Sequence, residues 1–209
     1  DRLNRLAPSA TLAMLQRSNE MKAQGIDVIN MSVGEPDFMT PDHVKMAGKK
    51  AIDDNFSKYS PVPGYLSLRK AIANKLKREN NLNYSASEVI VGTGGKQGVC
   101  NTILALVNPG DEVIIPAPYW VSYPQMVKLA GGVPVIVPAG IEQDFKITAD
   151  KLKAAITSKT KLIILGSPSN PTGSVYTKEE LEALAKVVLE HNNLFVLSDE
   201  IYEHINYIG

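Results

Sequence analysis

Short apolar runs alternate with amphipathic segments over most of this chain. The predicted strands, rich in Val, Ile and Leu, are 89–91, 113–115, 133–137, 161–165 and 194–197. Continuous apolar runs of this kind are typical of strands that are buried on both faces of a sheet. Periodicity and stop signals predict helices between them at 96–107, 120–130, 150–156 and 178–192. The alternation predicts an α/β fold with a mainly parallel sheet flanked by helices.

The beginning of the chain has a different pattern. Helices are predicted at 10–24, from Pro41 at a first helical position, and at 66–78, with a short strand at 28–31. We therefore expect 1–45 to be an N-terminal segment belonging to a second, smaller domain. Residues 46–209 would then form the main domain.

Composition narrows the classes of function. Lys plus Arg and Asp plus Glu both number 22, so the net charge is zero and no basic surface for nucleic acid is expected. Cys100 is the only cysteine, which excludes a disulfide framework and favours the cytoplasm. The three histidines are scattered, and we expect no metal site. No apolar stretch approaches the ~20 residues of a membrane span.

Two polar stretches, Ser167–Gly173 and Ser198–Tyr202, each follow a predicted strand directly. Polar groups just past the carboxyl ends of parallel strands lie where open α/β sheets bind their ligands. The amide of Asn170, the carboxylate of Asp199 and the phenol of Tyr202 would reach one crevice. Such a set suits a planar cationic cofactor.

These side chains also have plainer interpretations. Asp199 can cap a short helix, and Asn170, which precedes Pro171, can belong to an ordinary turn. A carboxylate after an apolar run is nevertheless costly unless it is paired or hydrogen-bonded, which favours a functional Asp199. Trp120, the only tryptophan, can stack on a flat heteroaromatic ring or fill the core.

The segment Gly92–Gln97 joins a predicted strand to a predicted helix. Its glycines let backbone N–H groups approach an anion at the positive end of the helix, which predicts a phosphate-binding turn. Gln97 stands where a dinucleotide fingerprint needs a small residue, and where a Walker A loop needs Ser or Thr. A plain tight turn and a nucleotide-binding domain are the alternatives here.

Six motifs occur in an order that resembles one enzyme family. They are 33–38, Tyr59 with Gly64 and 68–69, 94–96, 118–120, 169–173 and 198–202. Together they resemble the class I (fold type I) pyridoxal-phosphate-dependent aminotransferases of the bacterial and archaeal aspartate/aromatic type. The resemblance runs from about Leu6 to Ile205. It implies that the full-length enzyme moves an amino group between an amino acid and a 2-oxo acid.

The resemblance implies a role for each matching residue. Asp199 would hold the pyridine nitrogen, and Asn170 and Tyr202 would bind the phenolic oxygen. Asp199 and Tyr202 are thereby assigned catalytic roles. The other cofactor contacts would come from Gly94, Gly95 and Lys96 at the phosphate, Trp120 on one ring face, and Tyr59 of a neighbouring subunit in a homodimer. Substrate contacts would come from Gly34, Lys96, Trp120 and Asn170. Lys96 would reach the distal carboxylate of aspartate or glutamate, or only add charge near the phosphate.

The resemblance also implies a Schiff-base lysine after the Asp199 motif, and no lysine stands between Asp199 and Gly209. We therefore expect a large domain truncated before that lysine, and a 209-residue chain that is inactive alone. Strands 161–165 and 89–91 would then border a gap in the sheet. A carbon–sulfur lyase, another enzyme of this fold type, and a non-enzymatic fragment are the alternatives.

Overall fold

The computed structural model describes residues 3–207. Its helices are α1 (Ala10–Ala23), α2 (Asp42–Asp53), α3 (Leu66–Asn80), α4 (Gly95–Leu106), α5 (Ser122–Ala130), α6 (Ala149–Ala155) and α7 (Lys178–Leu189). Its strands are β1 (Glu112–Ala117), β2 (Val133–Pro138), β3 (Thr160–Gly166) and β4 (Phe195–Asp199). Within the described residues, no helix is both long and apolar enough to cross a bilayer.

The strands form one parallel sheet in the order β2-β1-β3-β4. Parallel neighbours need a crossover connection, and α5, α6 and α7 lie in the three crossovers between successive strands. The carboxyl ends of the strands therefore lie at the same edge of the sheet. The predicted α/β class, with a parallel sheet flanked by helices, is confirmed.

The core has two apolar layers because successive strand residues point to opposite faces of the sheet. On one face, Val113, Ile115 and Leu162 pack with side chains of α4 and α5. On the other face, Ile114 and Ile163 pack with side chains of α6 and α7. Helices cover both faces of the sheet and hold the strands in place. The positions of the polar residues at the strand ends are held with them.

Contacts within the chain divide the described residues into two compact units. One unit contains 3–10 together with 94–207, and the other contains 11–93. The first unit holds the whole sheet and helices α4 to α7. The expected boundary between a small and a large domain at residue 45 stays a prediction, since this division describes compactness alone.

Two predicted strands are absent from the described structure, and one of them is 28–31. The side chain of Asn30 accepts hydrogen bonds from the Ser32 backbone N–H at 3.0 Å and the Ser32 hydroxyl at 2.6 Å. Local bonds of this kind compete with a strand ladder. Ile29 and Met31 are 87% and 91% exposed. The apolar residues of this segment therefore belong to neither a strand nor a buried face.

Segment 89–91 was also predicted as a strand, and this was wrong. Val89 has an extended backbone, but Val91 bonds to the carbonyl of Pro63, which has no N–H to return a ladder bond. Strand 161–165, expected at a gap, is instead central, because β3 pairs with both β1 and β4. The edges of the described sheet are β2 and β4. Pro41 also precedes α2 as its N-cap and does not open the helix.

Gly132, in the turn between α5 and β2, is expected to tolerate no side chain. A Cβ added there would lie 2.6 Å from Val107 Cγ1 and 3.1 Å from the Asp111 carbonyl oxygen. We expect Gly132→Ala to destabilise the fold by about 1–3 kcal/mol through overpacking. Urea unfolding measures the change. Gly98→Ala is the matched control, because a Cβ on Gly98 in α4 meets no atom within 4 Å and improves helix propensity. Equal midpoints for the two variants would contradict this account.

Candidate active site

The carboxyl ends of β3 and β4 lie side by side. Gly166 and Asp199, the last residues of the two strands, are paired in register. The segments that follow therefore leave the sheet together, one carrying Asn170 and the other Tyr202. Asn170 Nδ2 donates a hydrogen bond to the Tyr202 hydroxyl oxygen over 3.2 Å. The structure thus brings an amide, a phenol and a carboxylate to one edge of the sheet.

Asp199 does not cap a helix. The residues after it form turns, and Asp199 Oδ1 accepts only a 3.4 Å bond from the Ile201 N–H. Its Oδ2 accepts a 2.7 Å bond from the hydroxyl of Tyr123, a buried residue in the first turn of α5. Burial raises the pKa of the Tyr123 phenol, and the hydrogen bond to Asp199 raises it further. Tyr123 therefore stays a neutral donor at physiological pH and holds the carboxylate in one orientation.

Trp120 lies between Tyr123, which binds this carboxylate, and Lys96 at the start of helix α4. Its ring lies edge-on to Tyr123, with centroids 5.3 Å apart and planes at 90°. The ammonium of Lys96 lies 5.1 Å from the centre of the Trp120 ring, within the range of a cation–π contact. Trp120 is only partly buried and packs against the first core layer. Both interpretations of this residue are therefore compatible with its position: it is attached to the core and retains accessible ring surface.

The N-terminus of α4 has the shape of an anion site. Gly94 is its N-cap with φ +84°, a left-handed backbone that favours glycine, and no side chain caps the helix there. The first N–H groups of a helix have no intrahelical partner and lie at its positive end. A Cβ on Gly94 would meet no atom within 4 Å, and one on Gly95 would lie 4.0 Å from Ile201. Backbone donors are thus accessible beside the turn that carries Tyr202.

Gly34 and Tyr59 belong to the other compact unit, residues 11–93. The Tyr59 side chain is completely exposed. Gly34 is also exposed, and a Cβ on it would meet no atom within 4 Å. Their roles at the substrate and at a neighbouring subunit's phosphate stay predictions.

Tyr123 is the site residue that the sequence pattern did not single out. It lies in α5, three positions after Trp120, and contacts both Trp120 and Asp199. The available signal was an aromatic pair at this spacing at the start of an amphipathic helix. A second signal is the tyrosine hydroxyl, because a buried hydroxyl needs a hydrogen-bond partner.

We expect Tyr123→Phe to cost about 1.5–3 kcal/mol of stability, the range for a hydrogen bond to a charged group. A double-mutant cycle with Asp199→Asn, followed by urea unfolding, isolates this contact from other effects of each substitution. Tyr84→Phe, at a 49% exposed tyrosine, is the matched control and should be neutral. A coupling energy near zero would show that the two side chains do not interact in solution.

Comparisons with known proteins agree with this geometry. Residues 26–208 match the family described as aminotransferase class I and II. The aspartate/prephenate aminotransferase of Cereibacter sphaeroides is 54% identical over 205 residues, covering 98% of this chain and 51% of that protein. The aspartate aminotransferase of Bacillus sp. YM-2 is 54% identical over 209 residues, covering all of this chain and 53% of that protein.

The solved structure of the aspartate aminotransferase from Thermus thermophilus with maleate superimposes with a TM-score of 0.96 at 47% identity. The match covers all of this chain and 54% of that one. The chain therefore spans about half the length of the relatives it matches. Family, fold and the order of the site motifs agree, and this chain belongs to the class I and II aminotransferases, whose members use pyridoxal phosphate.

Proposed function

We propose that this chain supplies the cofactor-binding part of a pyridoxal-phosphate-dependent aminotransferase. The observation that carries the proposal is the side-by-side placement of Asp199 and the Asn170–Tyr202 pair at the carboxyl ends of β3 and β4. These groups suit the two poles of a protonated hydroxypyridine ring. One pole needs an anionic acceptor and the other needs hydrogen-bond donors.

The residues present fit that cofactor chemically. A carboxylate offers about four acceptor positions; Tyr123 and the Ile201 N–H use one position on each oxygen of Asp199, so a ring N–H can still be accepted. Asn170 directs one N–H at the Tyr202 oxygen, which leaves its second N–H and the Tyr202 O–H to donate to a phenolate. The glycine-rich N-terminus of α4 suits the phosphate.

When bound, pyridoxal phosphate supplies an electron sink for the substrate's amino carbon. The protein residues bind and orient it. Asp199 would keep a proton on the ring nitrogen, Trp120 would cover one ring face, and Asn170 and Tyr202 would hold the phenolic oxygen. Asn170 would also contact the substrate carboxylate, and the same role is proposed for Gly34 from its sequence motif.

We further propose that the substrate is a dicarboxylic amino acid, aspartate or glutamate. Lys96 supports this proposal, because its ammonium extends from the start of α4 to the Trp120 ring, beside the place proposed for the substrate. Tyr59, fully exposed, is proposed to reach the phosphate of a neighbouring subunit in a homodimer. The proposed compartment is the cytoplasm.

The test is an assay of the full-length protein that carries this sequence. We expect it to bind pyridoxal phosphate, followed by cofactor absorbance, and to convert aspartate and 2-oxoglutarate to oxaloacetate and glutamate. A carbon–sulfur lyase would instead release ammonia and pyruvate without needing a 2-oxo acid. Absence of cofactor binding in a folded protein would overturn the proposal.

A further inference from the structure

The segment that carries Asn170 is a closed loop, which we call the Asn170 loop (residues 167–176). Its ends are joined by hydrogen bonds from the Ser169 N–H to the Ser174 carbonyl at 2.9 Å and from the Gly173 N–H to the Ser169 carbonyl at 2.8 Å. The Tyr176 N–H donates to the Ser167 hydroxyl at 3.2 Å. These bonds fix the internal shape of the loop. They do not fix its direction relative to β4.

A second segment, 144–147, lies between β2 and α6 in the chain and contacts this loop. The Ile147 N–H donates to the buried Tyr176 hydroxyl over 2.9 Å, and the Ser174 hydroxyl lies 3.5 Å from Asp144 Oδ1. Both Tyr176 and Ser174 are only 8% exposed. The loop side of this contact is therefore shielded from water, whereas the Asp144 side chain is 66% exposed.

Lys146 is the centre of this contact. Its side chain is only 13% exposed, and its ammonium lies 2.9 Å from a Glu180 oxygen and 3.3 Å from an Asp144 oxygen. The same ammonium donates a 3.3 Å bond to the carbonyl of Val175 in the Asn170 loop. One cation thus binds an acceptor in α7, one in its own segment and one in the loop.

The backbone places Lys146 there at a cost. Asp144 and Phe145 both have left-handed conformations, with φ of +51° and +56°. Residues other than glycine rarely adopt this region, and two in succession are rarer. The reversal is held by N–H bonds from Asp144 to Ile141 and from Phe145 to Gly140. It turns the next side chain toward α7 and the loop.

Glu180 gives the ammonium a fixed partner. The Thr177 N–H donates to Glu180 over 2.7 Å and the Glu180 N–H donates to the Thr177 hydroxyl over 3.2 Å, which is a capping box at the start of α7. The hydrogen bond that the Lys146 ammonium donates to the Glu180 carboxylate raises the pKa of Lys146. For Glu180, burial acts to raise the pKa, but the Thr177 N–H and Lys146 outweigh it and lower the pKa. The pair therefore stays ionised around neutral pH.

We infer that Lys146 is a positioning residue that anchors the Asn170 loop to α7 and the 144–147 segment, and so sets the Asn170 amide against Tyr202. The relevance of this anchoring to the cofactor rests on the proposed function. The anchoring itself is a property of the protein without cofactor and can be measured there.

The test compares Lys146→Met with Lys153→Met. Lys153 makes an equally short ion pair, 3.0 Å to Glu190, but its side chain is 61% exposed. Both changes remove one positive charge. Hydrogen exchange of the cofactor-free protein then reports on the Ser169, Gly173, Ser174 and Tyr176 amides, which are hydrogen-bonded in the loop.

We expect Lys146→Met to speed exchange at these amides about tenfold or more, because a partly buried ammonium with three hydrogen-bonding partners is lost from the contact that anchors them. Lys153→Met should leave them unchanged, and Lys146→Arg should restore most of the protection. The affinity for pyridoxal phosphate should fall in Lys146→Met and not in Lys153→Met. If Lys146→Met does not fold, Lys146→Gln replaces it, with a smaller effect expected at the same amides.

Unchanged exchange in the loop, or equal acceleration by Lys146→Met and Lys153→Met, would overturn the inference. Faster exchange with unaltered cofactor affinity would overturn the link to Asn170. A wild-type protein that binds no cofactor would instead refute the proposed function. The exchange result would still decide the anchoring role.

Discussion

Replacing Asp199 by alanine in the full-length protein is expected to lower transamination at least about a thousandfold, the scale for losing one preorganised electrostatic partner. Without the carboxylate, nothing in the Tyr123–Asp199 pair accepts the ring N–H, and the cofactor becomes a weaker electron sink. Asp199→Glu should retain a trace of activity, because its charge is kept and its position is not. Steady-state kcat with aspartate measures both.

The matched control for this change is Glu200→Ala. Glu200 is the next acidic residue along the chain, is exposed, and accepts a bond from the Ser198 hydroxyl at 2.9 Å. It should retain normal turnover. Circular dichroism must show that the Asp199 variants are folded, since the Tyr123 hydroxyl loses its partner in Asp199→Ala. Near-normal rates for folded Asp199→Ala would remove Asp199 from the site.

Lys96→Ser in the full-length protein is expected to raise KM for aspartate by about tenfold to a hundredfold, the range for losing a hydrogen bond to a charged group. A substrate without a distal carboxylate, such as an aromatic amino acid, should be little affected. The reason is that a lysine ammonium acts as a mobile point charge toward that carboxylate. Parallel KM measurements with the two substrates give the answer.

Lys178→Ser controls for the loss of a surface charge, since the Lys178 side chain is 82% exposed at the start of α7. If Lys96 binds the cofactor phosphate instead, Lys96→Ser lowers the affinity for the cofactor and reduces activity equally with all substrates. Equal losses for aspartate and the aromatic substrate would therefore refute the dicarboxylate preference.

Sequence patterns predicted the sheet better than the segments outside it. Runs such as 161–165 are buried on both faces, so their composition alone indicates a strand, and β3 extends them by one residue at each end. Segments 28–31 and 89–91 have a similarly apolar composition. Their conformation depends on a hydrogen-bonding partner, which no local pattern encodes. The central position of β3 likewise follows from pairing on both sides and not from its own residues.

The candidate site was predictable only in part, for the same reason. Asn170 and Tyr202 follow strands and Asp199 ends one, so their positions in the sequence indicate the edge of the sheet at which they lie. Tyr123 and Lys146 act through tertiary contacts. The left-handed backbone at Asp144 and Phe145 directs the Lys146 side chain. No glycine at these positions predicts that conformation from the sequence.

The long stretches of chain between contacting residues also determine when the site can form. Tyr123 and Asp199 are separated by 76 positions, and Asn170 and Tyr202 by 32. Closing segments of this length costs chain entropy before any contact stabilises the product, so such topologies fold slowly. The candidate site therefore forms on the timescale of sheet assembly. A mutation that slows the docking of β4 onto β3 would delay the site without altering any of its residues.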